Sequence, residues 1–468
     1  MLNGIKKLFD NRIIKAGSWY TITNFFIKGI TFITIPIFTR LLTTAEYGVT
    51  SIYTSWVGIF SIFIGFNLYS TVGRAKIDFK DEYDEFNSSV MFFSLVSFFV
   101  YLIIFISFES FFLSLTGLSR VLFYLMVLQA YLFFLQEYII NKFRFDYNYK
   151  AVSIVNIILT GLGVLFSIFL ITMIFQNNRV FGKIIGQVLP LIAMGLFTLI
   201  YFMLKGKTLV NIKYWKYALV LGVPLVFHAL ANSVNSQFDR ILINRYLGAS
   251  EAGIYSFAYN IGVIIQVLST SFNQAWVPWF YEKMDTRNLK AIRNYAGSYR
   301  DIFTVVYAGI LLISPELVKI MGDESYWAGI SIMPWILMAY YFQFMYSFEF
   351  QIEIVHKKTY LISAASIMSA VINIVLNIIF IPKFGYTGAA ITTVVSYFFL
   401  FLFHYLMASK VIKDNIFGLK FHLTSFTYVF GLTIFFFIFK DNTIIRFIGI
   451  LFVVVLFVYR FIKNKRSN

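Results

Sequence analysis

Fourteen long apolar segments, joined by short polar connections, make up most of this 468-residue chain. A helix needs roughly 20 apolar residues to cross the hydrocarbon core of a bilayer, where only helices and closed barrels satisfy their backbone groups. The pattern therefore predicts an all-α polytopic membrane protein with about 14 transmembrane helices. The predicted spans are 17–41, 48–72, 88–108, 120–140, 151–174, 184–204, 217–246, 252–279, 301–320, 331–352, 360–381, 388–408, 423–439 and 444–462.

The overall composition agrees with lipid as the main solvent. Hydrophobic residues make up 59% of the chain and charged residues 13%, whereas soluble domains have roughly 45–50% and about 25%. Most of the 39 Lys and Arg residues fall in alternate connections, on the side that would be cytoplasmic if the N-terminus is inside. The distribution of basic residues therefore predicts that both termini are cytoplasmic.

Several function classes are excluded or disfavoured. The chain has no cysteine, and its four histidines include no pair at the spacing of a helical metal site. We therefore predict no metal and no cofactor. We also predict no nucleic-acid partner, because the basic residues behind the net charge of +17 are spread between apolar stretches. The longest hydrophilic stretch, 282–300, is too short to fold as a domain, so we predict that the protein is not an enzyme.

The N-terminal segment Met1–Ser18 is charged and amphipathic. Its pattern predicts a helix in the headgroup layer, since it lacks the features of a cleavable signal.

A short internal repeat links two corresponding turns. Residues 40–51, RLLTTAEYGVTS, align without gaps on residues 245–256, RYLGASEAGIYS. Six predicted spans separate the copies, so the two halves would have the same orientation, as in transporters built from parallel repeats. We predict two parallel-related six-helix lobes plus two C-terminal helices, with boundaries at 1–210, 211–408 and 409–468. Gly48 and Gly253 would provide a turn or a close packing contact.

Four stretches, in order along the chain, carry a resemblance to a known family. They are TRLLTTAEYG at 39–48; Asp239-Arg240 with Gly248, Gly253, Tyr255 and Ala258-Tyr259; PELVKIMG at 315–322 with Tyr326 and Ala328; and Asn373, Asn377 and IPKFGYTGAA at 381–390. The chain resembles the Wzx-type oligosaccharide and polysaccharide flippases of the multidrug/oligosaccharidyl-lipid/polysaccharide (MOP) exporter superfamily. Many members have twelve spans, so the fourteen predicted here leave the subfamily open.

Lys28 is the sharpest candidate for a substrate-binding residue. It lies near the middle of the first predicted span, where a charge costs roughly 2.5–3.5 kcal/mol on insertion scales. Such a cation is expected to face a water-filled cavity and to pair with a diphosphate. Two alternatives stay open: a structural salt bridge, or a helix that starts later and leaves Lys28 near the inner surface.

The second half of span seven is unusually polar. We predict that it lines the substrate path, while an interfacial charge cluster and a hydrogen-bonded interior histidine remain alternatives. The candidate substrate-binding residues, together with Lys28, are Arg40, His228, Asn235, Asp239, Arg240 and Arg245. Glu349 and Glu353 are candidates for ion coupling, although an interfacial charge ladder with Lys357 is the simpler interpretation.

The resemblance and the cations together imply a flippase, and the resemblance implies that it lies in a bacterial cytoplasmic (inner) membrane. It would move an anionic, polyprenyl-diphosphate-linked oligosaccharide, a surface-polysaccharide repeat unit such as that of O-antigen, to the outer leaflet by alternating access. A coupling ion, H⁺ or Na⁺, and the polysaccharide polymerase machinery are further expected partners, beside the lipid bilayer. The alternative is a multidrug or cation exporter of the same superfamily, which would require acidic residues deep in the lobes.

Overall fold

The structure is a computed structural model that describes residues 12–466. The N-terminal residues 1–11, including most of the predicted amphipathic segment, and residues 467–468 lie outside the described part. The described chain divides into two compact units between Arg245 and Tyr246. The finer boundaries expected at 210 and 408 stay predictions.

The first unit contains nine helices within the described residues. Two of them, α3 and α5, are short connecting helices, and α9 ends just past the unit boundary. The bounds are α1 Arg12–Leu41, α2 Thr44–Ile64, α3 Val72–Asp78, α4 Tyr83–Ser107, α5 Glu109–Thr116, α6 Arg120–Phe145, α7 Tyr149–Phe169, α8 Arg179–Gly206 and α9 Ile212–Leu247.

The second unit contains seven α-helices in the part that the structure describes. Helix α12 is short and follows α11 after a bend of 56°. The bounds are α10 Ala249–Asp285, α11 Leu289–Leu312, α12 Ser314–Met321, α13 Met333–Val355, α14 Thr359–Leu406, α15 Leu419–Phe439 and α16 Thr443–Arg466.

The helices agree with the predicted spans. Eleven are long and apolar enough to cross a membrane, or twelve if the bent pair α11–α12 is one span. Helix α14 contains two predicted spans, because Gly385 breaks it with a φ of 64° and a ψ of −155°. Helix α1 covers the first predicted span in addition. The all-α polytopic fold with about 14 spans is therefore confirmed.

The two copies of the repeat adopt equivalent positions. Thr43 caps α2, and its hydroxyl accepts a hydrogen bond from the Glu46 amide while the Glu46 side chain accepts from the Thr43 amide. Gly248, aligned with Thr43, is the cap of α10, and Glu251 occupies its first turn as Glu46 does in α2. The left-handed turn lies at Gly248, with a φ of 99°. The turn expected at Gly48 and Gly253 is therefore wrong, since both are buried within helices.

A pair of glycines brings α7 and α8 into backbone contact. A Cβ on Gly186 would lie 2.3 Å from the Ser167 nitrogen, and one on Gly182 would lie 3.0 Å from the Ile171 nitrogen. The spacing is that of the small-xxx-small motif, which lets membrane helices approach closely. This contact fixes the first turn of α8, where Lys183 lies.

Candidate functional site

Lys28 lies well inside α1, sixteen residues after the first described residue, Arg12. The alternative of a helix that starts later is therefore wrong. Helix α1 packs on α7 through Thr23, whose hydroxyl lies 2.5 Å from that of Ser153, and Lys28 is about 140° around the helix from Thr23. Lys28 is exposed and takes part in none of the ion pairs among the described residues. The salt-bridge alternative thus has no support in this part of the chain.

The two aligned arginines of the repeat occupy the last turns of their helices. Arg40 ends α1 and is exposed, and it donates a hydrogen bond of 2.8 Å to the Pro36 carbonyl. Arg245 lies in the last turn of α9 and is also exposed. The negative end of the helix dipole stabilises each positive charge, and both side chains are exposed.

Polar groups connect the second half of α9 with α2. The side-chain amide oxygen of Gln237 accepts hydrogen bonds from the Ser55 hydroxyl on α2, at 3.2 Å, and from Arg240. Arg240 also donates to the Ser236 carbonyl at 2.9 Å. Asp239 and Arg240 are both buried, with exposed fractions of 3% and 6%. The connection between α9 and α2 therefore runs through the Gln237 side chain, which Arg240 also contacts.

The remaining predicted residues of α9 lie farther from this buried connection. Asn235 is half-buried on the same helix. His228 lies in the described helix, but its side chain is outside what the structure describes.

Lys183 is a cation that the sequence analysis assigned only to a connecting loop. It lies in the first turns of α8, and its Nζ donates a hydrogen bond of 3.0 Å to the Thr50 hydroxyl. The same Nζ lies 4.8 Å from the centre of the Phe38 ring and 4.5 Å from that of Tyr47. Aromatic faces attract a cation without neutralising its charge. In the sequence, the only feature that could have drawn attention to Lys183 is its position between Gly182 and Gly186, which form a small-xxx-small motif.

Two other lysines of the first unit, Lys142, which is buried, and Lys76, which is half-buried, are neutralised by a carboxylate. Lys142 and Lys76 bind the two oxygens of Asp146 at 2.5 and 2.6 Å. Burial raises the pKa of Asp146, but the hydrogen bonds and charges of the two lysines outweigh it and hold that pKa below its usual value. Asp146 lies in the connection between α6 and α7, so these lysines stabilise a helix end.

Glu349 and Glu353 lie on α13 in the second unit, and both are almost completely buried. Glu349 Oε1 is 2.8 Å from His422 Nε2 on α15, and Glu353 Oε1 is 2.8 Å from His404 Nδ1 on α14. The simpler interpretation, an interfacial ladder with Lys357, is therefore wrong. The sequence analysis missed both histidine partners, because they are 73 and 51 residues away.

These pairs are unlike a metal centre. Hard cations prefer several oxygen ligands, whereas each carboxylate here has an imidazole as its hydrogen-bond partner. No group of three or more potential ligands that could hold a metal ion occurs among residues 12–466. Two buried carboxylate–imidazole pairs are suited to holding and releasing protons.

Comparison with known proteins begins with the family. Residues 13–284 match the family described as polysaccharide biosynthesis protein, over more than half of the chain. The chain belongs to this family. A relative in Haemophilus influenzae, "Lsg locus putative protein 1", is 24% identical over 277 residues, covering 54% of this chain and 65% of that protein. The capsular polysaccharide biosynthesis protein CapF of Staphylococcus aureus is 22% identical over 209 residues, 43% of this chain and 52% of CapF. The aligned part thus spans only about half to two thirds of these two relatives.

The fold is shared with solved transporters. The lipid II flippase MurJ, in an inward closed conformation, superposes with a TM-score of 0.68 at 20% identity, over 95% of this chain and 99% of MurJ. An inward-facing multidrug resistance transporter of the MATE family, within the MOP superfamily, gives a TM-score of 0.62 at 15% identity, over 83% and 96%. The predicted resemblance to this superfamily is confirmed at the level of family and fold.

Proposed function

We propose that this protein is a flippase for a polyprenyl-diphosphate-linked oligosaccharide, the repeat unit of a surface polysaccharide. The substrate would be carried from the cytoplasmic to the outer leaflet by alternating access. Membership of the polysaccharide biosynthesis family and the MOP fold support a role in moving a polysaccharide precursor. The protein would act in a bacterial inner membrane, without catalysis and without a cofactor, and would deliver its product to polymerase machinery.

The observation that carries the proposal is Lys28. An exposed ammonium deep in a membrane-length helix, outside the ion pairs of the described chain, is retained only where a counter-charge or water compensates its desolvation. A diphosphate supplies two negative charges and several strong acceptor oxygens, and a lysine binds it as a compact point charge. Lys28 would hold the head group while the prenyl chain stays in lipid.

Further cations would receive the diphosphate closer to the outer surface. Lys183 and Arg40 belong to the end of the first unit where α1 ends and α8 begins, as a hydrogen bond of 3.0 Å from Arg179 to the Leu41 carbonyl shows. We further propose that polar residues of α9 add hydrogen bonds to the sugar. They are His228, Asn235, Asp239, Arg240 and Arg245. Binding at several moderate sites would allow release.

Glu349 and Glu353 are proposed to couple transport to protons. Each carboxylate shares a hydrogen bond with a buried imidazole, so gain or loss of one proton changes the charge of the pair inside a low-dielectric region. The imidazole partners favour H⁺ over Na⁺ as the coupling ion, because Na⁺ as a hard cation prefers oxygen ligands.

A multidrug or cation exporter is the second candidate. The likeness to the MATE transporter and the two buried carboxylates favour it. Against it, each of these carboxylates already has a cationic or proton-donating histidine partner, and the exposed membrane charge is a lysine, which repels a cationic drug.

The proposal is tested by deleting the gene in the source cell and by measuring surface polysaccharide and lipid-linked intermediates. We expect loss of polymer with accumulation of complete lipid-linked units. Expression of Lys28→Ala should not restore the polymer despite normal membrane levels, Lys28→Arg should restore part of it, and Lys80→Ala, which removes an exposed lysine between α3 and α4, should restore it fully. Unchanged polymer without accumulation, together with lost efflux of cationic dyes, would instead support the drug exporter.

A further inference from the structure

A cationic cavity of about 430 Å³ lies in the second unit, where α11 and α15 begin and α16 approaches its end. Four cations line it, and no carboxylate does so among the described residues. These cations are Arg293, Arg300, Lys420 and Arg460. The Lys/Arg distribution predicts that this end of the unit is cytoplasmic.

The cations are only partly engaged with protein groups. Arg293 donates through Nε to the Ile416 carbonyl at 2.8 Å, and a guanidinium carries five N–H donors in total. Arg300, 7% exposed, uses Nε and Nη2 on the Asp301 carboxylate at 2.8 and 2.6 Å and Nη1 on the Phe421 carbonyl at 3.4 Å, which leaves two of its five N–H groups. Arg460 donates to the Tyr428 hydroxyl. With Asp301 included, the cavity and its rim keep a net charge of +3, which is suited to an anion.

A second, apolar cavity of about 360 Å³ is lined by α11 and α16, and its Asp301 binds Arg300 of the first cavity at 2.6 Å. Its apolar lining comes from Ile302, Val305 and Val306 on α11 and from Val454, Phe457 and Val458 on α16. Ser298 and Asp301 form its polar edge beside the cationic cavity. The whole lining on α11 extends from Ser298 to Val306, about 12 Å along the helix.

The order of polar and apolar residues is the same on both helices. On α11 the cations at 293 and 300 precede the apolar residues 302–306, and on the oppositely running α16 the apolar residues 454–458 precede Arg460. Charge therefore gathers at one end and apolar surface leads from it into the membrane-length part of both helices. An amphiphile with an anionic head and a hydrocarbon chain matches this arrangement.

We propose that these two cavities form a binding site for an anionic bilayer phospholipid, with its phosphate among Arg293, Arg300, Lys420 and Arg460 and one acyl chain between α11 and α16. None of the lining residues is among those proposed for transport, although α15 also carries His422, the partner of Glu349. The amides at the start of α15, around Gly418, add further N–H donors for the phosphate. A zwitterionic lipid of the same chain length would bind more weakly because its head group has no net charge.

The test uses the full-length protein in detergent and native mass spectrometry with added phosphatidylglycerol or phosphatidylcholine of matched chains. We expect the wild type to retain phosphatidylglycerol preferentially, and the triple variant Arg293→Gln, Lys420→Gln, Arg460→Gln to bind it at least about tenfold more weakly, since each cation near an anionic lipid contributes about 1 kcal/mol. The matched control is Lys383→Gln, Lys410→Gln, Lys440→Gln, which removes three other exposed lysines of the same unit and should bind as the wild type does.

The single variant Val458→Trp tests the acyl-chain part, because the new side chain would fill the apolar cavity from a half-exposed position. It should weaken phosphatidylglycerol binding and leave retention of inorganic phosphate unchanged. Equal retention of both lipids, or equal loss in the control variant, would overturn the proposal. If Val458→Trp binds phosphatidylglycerol as the wild type does, and if inorganic phosphate fully displaces that lipid, the cavity is a site for free phosphate and the proposal is wrong. The lipid readout is independent of transport, so it leaves the flippase proposal untouched.

Discussion

At the residue scale, the ionisable groups of this protein separate into paired and available ones. Lys142 and Lys76 are held by Asp146, whereas Lys28 is exposed and Lys183 rests on two aromatic rings and a hydroxyl. Only the available cations can exchange a protein contact for a contact with a phosphate. The difference lies in their surroundings, since the residue types are the same.

The carboxylate–imidazole pairs lead to a prediction about proton coupling. In Glu349→Gln and Glu353→Gln the amide can still hydrogen-bond to His422 or His404, but it no longer carries a titratable charge. We expect transport to lose its dependence on an imposed proton gradient while the variants keep the folding of the wild type. Transport of a fluorescent lipid-linked substrate in proteoliposomes, with and without a gradient, measures this.

The control for this prediction is His356→Gln. His356 is partly exposed and lies 3.4 Å from Asp414 at the end of α13. It should transport with the gradient dependence of the wild type. If both glutamine variants respond to the gradient as the wild type does, the pairs are structural, and the proposed coupling through them is wrong.

At the scale of elements, glycines decide how closely the helices approach. Gly186 places α8 against the α7 backbone, and Gly388 lies where a Cβ would come within 2.6 Å of the Phe380 carbonyl. Phe380 and Gly388 lie on either side of the break at Gly385, so this contact packs the two parts of α14 together. In lipid, helix association depends on such van der Waals contacts because no hydrophobic driving force acts between helices.

Gly186→Ala is expected to destabilise the first unit. Its Cβ would meet backbone atoms of Ser167 at 2.3 Å, so the two helices must separate, at a cost of about 1–3 kcal/mol. Thermal unfolding of the purified protein in detergent should show a lower Tm. Gly161→Ala, on the neighbouring helix with nothing within 4 Å of the new Cβ, should leave the Tm unchanged or raise it. Equal Tm values for the two variants would contradict the packing argument.

At the scale of the whole molecule, the last helix, α16, is joined to the rest of the second unit by an ion pair whose arginine is buried. Arg446 on α16, 2% exposed, binds both oxygens of Glu316 on α12, at 2.7 and 2.5 Å, and also donates to the Leu312 carbonyl. Nearby, Ala308 on α11 packs with Val453 and Phe457 on α16. The additional C-terminal helices are therefore integral to this unit.

Arg446→Ala should accordingly loosen the C-terminal helices. It removes the charged hydrogen bonds to the partly exposed Glu316 and leaves the Leu312 carbonyl without this donor, at a cost of about 1–3 kcal/mol. We expect a lower Tm and faster proteolysis in the connection between α15 and α16. Arg120→Ala, which breaks an exposed pair with Glu109, should change neither. A normal Tm and normal protease resistance in Arg446→Ala would show that apolar packing alone holds these helices.

The sequence by itself determined the all-helical membrane fold, the approximate number of spans and the repeat, while the depth of Lys28 in the membrane stays a prediction. These depend on local hydrophobicity and on position along a helix, which the chain displays directly. Only the tertiary structure decided which charges meet: Glu349 with His422, Glu353 with His404, and Lys183 with Phe38, Tyr47 and Thr50. Their partners are dozens to more than a hundred residues apart, and helical periodicity carries no information about which helix faces which.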